Sequence, residues 1–274
     1  MSRPWIEFIQ SQRLPWQDDA LPRLRPGAAL RCLSRDARAG ACSVLLRYPP
    51  GFATAPIALD CDEELFVIDG TLQVGAQTLG PYGYAHLPAG HDAGPCGSEQ
   101  GAIVLTFFAT EPLASSQPRS PDPRRLVPAL DALALPYTGD FHPQFPPGAG
   151  RRLLYRDPVT RDTTWLLGTL PLRRAERSEV HPTVEEMYLL AGEVHGDRGV
   201  MRPGAYFWRP PGVAHGPYGT QTGNLYFFRT RGGGLSTTYV DAARPFQWRP
   251  PYAVVLPAEY EGARGEVESG AARW

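Results

Sequence analysis

Four side chains in the second half of the chain have the types and spacing to hold a divalent metal ion. Glu179, His181 and Glu185 fall on alternate positions of one segment, SEVHPTVEE. An extended strand sends alternate side chains to the same face, so the three share a parity and can enter one interior. His215 follows the turn Pro210-Pro211-Gly212, which makes a tight reversal and delivers an imidazole from a neighbouring strand. Two imidazoles and one carboxylate, with coordination positions left open, form the facial arrangement suited to Fe(II). The same set suits Mn, Zn, Ni or Cu.

Such side chains need strands to carry them, and the chain is rich in short ones. Runs such as SVLLRY, ELFVIDG, AIVLTFF, TTWLLGTL, EEMYLLAG and NLYFFRT are dense in β-branched and aromatic residues. The 29 glycines and 30 prolines punctuate them too often for many long helices. The runs also repeat. EELFVIDGTLQV from Glu63 matches EEMYLLAGEVHG from Glu185. YGYAHLPAGHDAGP from Tyr82 matches GAYFWRPPGVAHGP from Gly204, and FFAT at 107–110 matches FFRT at 227–230. The offset stays between 120 and 122 residues, which marks a duplication.

The spacing of Gly204, Pro210, Gly212 and His215 resembles the second cupin motif through its histidine. His181, Glu185 and Gly192 resemble the latter part of the first cupin motif. Over nearly its whole length the chain is similar to bicupins with ChrR-like domains. The resemblance implies an all-β fold of two tandem cupin (double-stranded β-helix, jelly-roll) barrels. With the repeat it sets the expected organisation: an N-terminal barrel with a degenerate metal site over 1–115, a linker over 116–136, and a C-terminal barrel with the metal site and a tail over 137–274. The linker starts Pro-rich and ends in LVPALDALAL, expected as a short docked helix.

The resemblance also implies one divalent metal per chain, Fe(II) foremost, held by His181, Glu185 and His215. Where family members carry a further histidine this chain has Glu179, which serves as a fourth ligand, a partner to a ligand, or a catalytic acid/base. The implied function is a metal-dependent oxidoreductase, a dioxygenase acting on a small carbonyl or phenolic compound. Two alternatives carry the same ligand set: an isomerase, lyase or decarboxylase that uses no oxygen, and a metal-binding sensor or ligand-binding module.

Aligned on Glu63, the first repeat offers Ile57, Leu59 and Ala93 where the second offers Glu179, His181 and His215. Only Glu63 survives as a donor, so no metal is expected there. Around the second site, Met187 continues the parity of Glu185, and Tyr206 and Trp208 share a face opposite to that of Arg209. Met187, Tyr206 and Trp208 are expected to line the pocket, whereas Glu186 has the wrong parity and should face solvent.

Composition narrows the partners. With 27 basic and 28 acidic residues the net charge is −1, which gives no basic footprint for nucleic acid. No apolar run approaches the length of a membrane span or a signal sequence, and a cytoplasmic location is the expectation. Cys32, Cys42, Cys61 and Cys96 match no zinc spacing and read as free thiols. The remaining expected partners are a small-molecule substrate and, because barrel edges need covering, a second copy in a homodimer.

Overall fold

A computed structural model describes residues 3–115, 121–138, 148–268 and 274. Its principal strands are β1 (Ile6–Gln10), β2 (Ala29–Arg35), β3 (Cys42–Tyr48), β4 (Glu63–Gly70), β5 (Gly83–Leu87) and β6 (Ala102–Phe108). They continue with β7 (Val127–Asp131), β8 (Ala149–Arg156), β9 (Thr163–Thr169), β10 (Val184–Gly192), β11 (Ala205–Arg209) and β12 (Asn224–Arg231). Two compact units result. One comprises Met1–Pro4 with Leu14–Ala134, the other Trp5–Arg13 with Leu135–Trp274.

Each unit is built on an antiparallel six-stranded sheet. The orders are β7-β5-β4-β6-β3-β2 in the first and β1-β11-β10-β12-β9-β8 in the second. A four-stranded sheet of shorter strands accompanies each, and the second unit adds the pair Ser178–Val180 with Thr238–Val240. The sequence repeat is thus a structural one. Gly70 and Gly192 end β4 and β10 with φ of +74° and +75°. A Cβ there would lie 2.1 Å from the Gly101 carbonyl oxygen and 1.9 Å from that of Gly223, so neither position admits a side chain.

The sixth strand of each sheet comes from outside the repeat, and this corrects the expected boundaries. Residues 5–13 belong to the second unit because β1 pairs with β11, Glu7 opposite Phe207 and Gln10 opposite Ala205. The described residues between 121 and 134 belong to the first unit and are not a free linker. The expected helix in LVPALDALAL is instead strand β7, paired with β5. Pro128 explains the choice: proline breaks a helix interior but is tolerated in an edge strand. The Pro-rich start of the expected linker, 116–120, lies outside the described residues.

Both interiors are apolar. Val44, Leu46, Leu65, Val67, Leu72 and Val104 fill the first, and Phe8, Trp165, Met187, Leu189, Phe207 and Phe228 the second. The far faces of the sheets are buried too, which corrects the expectation for Glu186. That residue is 2% exposed, pairs with Arg229 at 2.6 Å and accepts the Tyr206 hydroxyl at 2.5 Å. Glu64 accepts the Tyr84 hydroxyl at 2.8 Å in the first unit. None of the four cysteines is in a disulfide, and burial pushes the pKa of Cys61 and of Cys96 up to about 11. No helix among the described residues is long and apolar enough to cross a membrane.

Candidate metal centre

Glu179, on the short strand Ser178–Val180, lies directly across from His215. Their backbones exchange two hydrogen bonds, Glu179 N–H to His215 O at 2.9 Å and His215 N–H to Glu179 O at 3.1 Å. His181 follows that strand, and its carbonyl accepts the Gly212 N–H at 2.9 Å, which ties it to the Pro-Pro-Gly turn. Ligand atoms of Glu179, His181 and His215 come to lie within 4.8 Å of one another.

The imidazoles are oriented from behind. His181 Nδ1 is 2.9 Å from the Ser236 carbonyl oxygen and His215 Nδ1 is 3.0 Å from that of Val213. A carbonyl can only accept, so each Nδ1 carries the proton, and in a neutral imidazole of that tautomer Nε2 keeps its lone pair. His181 Nε2 is buried and has no hydrogen-bond partner among the described residues, which is costly for a polar atom. Carboxylate oxygens of Glu179 and Glu185 stand 3.7 and 3.5 Å from it, and a Glu185 oxygen stands 3.5 Å from His215 Nε2. An unpartnered lone pair facing a second imidazole and carboxylates is the environment a divalent cation fits.

Glu185 is engaged elsewhere as well. Its carboxylate is hydrogen-bonded by Arg209 Nη1. Arg209 is 1% exposed; its Nε and Nη2 donate to the two carboxylate oxygens of Glu7 at 2.7 and 2.5 Å, and Nη2 also donates to the Tyr218 hydroxyl at 2.9 Å. Burial holds the His215 imidazole well below the usual histidine range, with the Arg209 charge and His181 adding to the effect. Burial raises the Glu179 carboxyl, the Glu185 charge reinforces it, and His181 opposes it.

These groups open onto a cavity of roughly 270 Å³. Trp165, Leu167, Phe207 and Phe228 supply apolar wall, Arg151 and Arg173 charged wall. The expected pocket residues are not among its lining. Tyr206 and Trp208 are buried on the opposite face of β11, because the register sets Glu185 opposite Arg209 and Met187 opposite Phe207. Phe207 and Arg209 are the β11 residues that line the cavity. Met187 keeps the parity of Glu185 but packs into the core behind it. Sequence reasoning missed Glu7 altogether, since its role depends on β1 joining this sheet.

The matching place in the first unit is a cavity of only about 20 Å³. Ile57, Leu59, Ala93 and Glu63 line it together with Arg25. Arg25 Nη2 bonds both carboxylate oxygens of Glu63, at 2.9 and 3.0 Å, and its Nε donates to the Tyr48 hydroxyl at 3.3 Å.

Comparison with known proteins adds the following. The family model DUF4437, described as a domain of unknown function, matches residues 15–236. A crystal structure of a "putative dioxygenase" from Nostoc punctiforme PCC 73102 aligns at TM-score 0.78 and 23% identity, over 89% of this chain and 92% of that one. Oxalate decarboxylase from Bacillus subtilis, in a study of its Mn(II) centres, aligns at TM-score 0.58 and 12% identity, over 85% of this chain and 79% of that one. These likenesses show the cupin fold. No curated protein sequence matches the chain.

Proposed function

The chain belongs to the DUF4437 family, a domain of unknown function, and from the site in its second unit we propose that it is a metal-dependent enzyme acting on a small organic substrate. The observation that carries this reading is the convergence of Glu179, His181 and His215 at a mostly apolar cavity, with His181 Nε2 buried and unpartnered. Those three residues would hold a divalent ion, and Glu185 lies within reach as a fourth donor. Iron(II) or manganese suits two neutral imidazoles and a carboxylate. The ion would supply Lewis-acid polarisation of a bound oxygen atom of the substrate, or the activation of dioxygen.

The protein's own groups would bind and orient. Trp165, Phe207 and Phe228 offer flat apolar surface to the body of a substrate, as expected for a small carbonyl or phenolic compound. We favour a dioxygenase reaction. A second reading, a decarboxylase, lyase or isomerase without oxygen, draws on the raised Glu179 carboxyl. In that reading His181, Glu185 and His215 would hold the ion, and Glu179, left off it, would give or take a proton at the substrate.

Metal content of protein purified without added metal tests the assignment, beside His215→Ala. One iron or manganese per chain, lost in the variant, is the expected result; two metals per chain, or none, overturns it. Oxygen uptake over a panel of small diketones and phenols then separates the two reactions. Turnover without oxygen consumption rejects the dioxygenase.

A further inference from the structure

Glu185 occupies the carboxylate position of the motif, yet its carboxylate is taken by Arg209. Arg209 is not free to swing, because two of its nitrogens are clamped on both oxygens of Glu7 and one of these also bonds Tyr218. Arg209 and Glu7 are 1% and 3% exposed, so neither is exchanged for water at little cost. Glu7 sits on β1, the strand whose backbone pairs with that of β11 and thereby fixes where the clamp stands. Glu179 is instead paired with His181 at 3.7 Å, and it faces the two imidazoles.

Resting on the metal-enzyme reading above, we propose that the Glu7–Arg209 clamp withholds Glu185 from the metal. The ion is then bound by Glu179, His181 and His215, with its further positions open to substrate. Glu7 is a positioning residue: it acts through Arg209 on Glu185, and the N-terminal strand is part of the machinery of the site. Without the clamp, Glu185 rotates its carboxylate onto the ion and fills one of the positions a substrate would use. An arginine between two carboxylates suits this task, since its planar fork bonds one side bidentately while keeping a further nitrogen for the other.

The test uses metal-free full-length protein titrated with Co(II), whose visible absorption reports coordination number, and needs no substrate. In the wild type, Glu185→Gln is expected to leave the Co(II) spectrum unchanged, whereas Glu179→Gln alters it. Arg209→Met, which takes away the group that holds Glu185, is expected to lower the visible absorptivity as Glu185 joins, and to tighten Co(II) binding by about tenfold or more. Adding Glu185→Gln to that variant should restore the wild-type spectrum.

Should Arg209→Met fail to fold because Glu7 is left buried and unpaired, Glu7→Leu with Arg209→Met removes the clamp as a pair. Such apolar replacement of a buried ion pair is commonly tolerated. A wild-type spectrum that changes with Glu185→Gln overturns the clamp alone, because Glu185 would already be a ligand. A spectrum indifferent to both clamp variants does the same. Failure of the wild type to bind Co(II) overturns the metal reading and the clamp with it.

Discussion

Glu63 and Glu185 stand at matching places in the two repeats, and an arginine holds each. The arginines come from different directions. Arg25 precedes β2 and lines the small cavity with Glu63 itself, whereas Arg209 comes from β11 and is pulled to one side by Glu7. Where the second unit sets Glu179, His181 and His215, the first sets Ile57, Leu59 and Ala93, and where the second has Arg209 the first has Leu87. The volumes follow, roughly 270 Å³ against about 20 Å³. One backbone plan therefore serves two ends. Filling the interior with aliphatic groups and one closed ion pair makes a core; leaving polar donors around a cavity makes a site, at some cost in packing.

The sharpest way to break this comparison is Arg25→Ala. It leaves Glu63 as a lone buried carboxylate and should destabilise the protein by about 3–5 kcal/mol in urea unfolding. A loss below about 1 kcal/mol would mean that the pair is not structural. Next comes ligation. Manganese(II) at 100 times its Kd should raise stability by about 2.7 kcal/mol, and the rise should vanish in His215→Ala but persist in Glu63→Gln. Persistence in His215→Ala would move the metal out of the second unit.

Gly70→Ala and Gly192→Ala probe what the units share. Each places a Cβ against a carbonyl oxygen at positive φ, so each should cost on the order of 1–3 kcal/mol, and by similar amounts. A large inequality would mean that the two turns are not equivalent. The smallest effect concerns pH. Burial lowers the His86 imidazole below its ordinary 6.5, against the pull of Glu64 and Asp62. The unfolded chain then binds a proton that the folded one refuses, and stability falls as pH drops from about 6.5 through the lowered value. His86→Gln should flatten that part of the stability–pH curve, while an unchanged slope would assign it to other groups.

Much of the architecture is legible in the sequence. The 122-residue match of Glu63 with Glu185 and of Gly70 with Gly192 announced two alike halves, because each glycine is obliged by a carbonyl that would strike any Cβ. Strand parity puts Glu179, His181 and Glu185 on one side of a single strand; in the structure they approach His215 from two strands, Ser178–Val180 and Val184–Gly192, with His181 between them. Parity did less well at β11. It grouped Tyr206 with Trp208 and set Arg209 apart, but could not say which group faces in. That depends on Glu185 standing opposite Arg209 across two strands. Glu186 differs from its expectation for a similar reason: alternation gives the face, not whether that face is covered.

By itself, then, the sequence determined what local chemistry and period can determine: the strand-rich fold class, the duplication, the turns that need glycine, and the residue types able to bind a metal. Tertiary structure decided what depends on pairing between distant segments. It gave the edge beside β11 to residues 6–10 and the edge beside β5 to residues 127–131. It also chose which side of β11 meets the cavity, and which carboxylate Arg209 shares with Glu7. The reason is physical. Side-chain alternation is written into every strand, but the register and neighbours of a strand are settled by backbone hydrogen bonds to partners far along the chain.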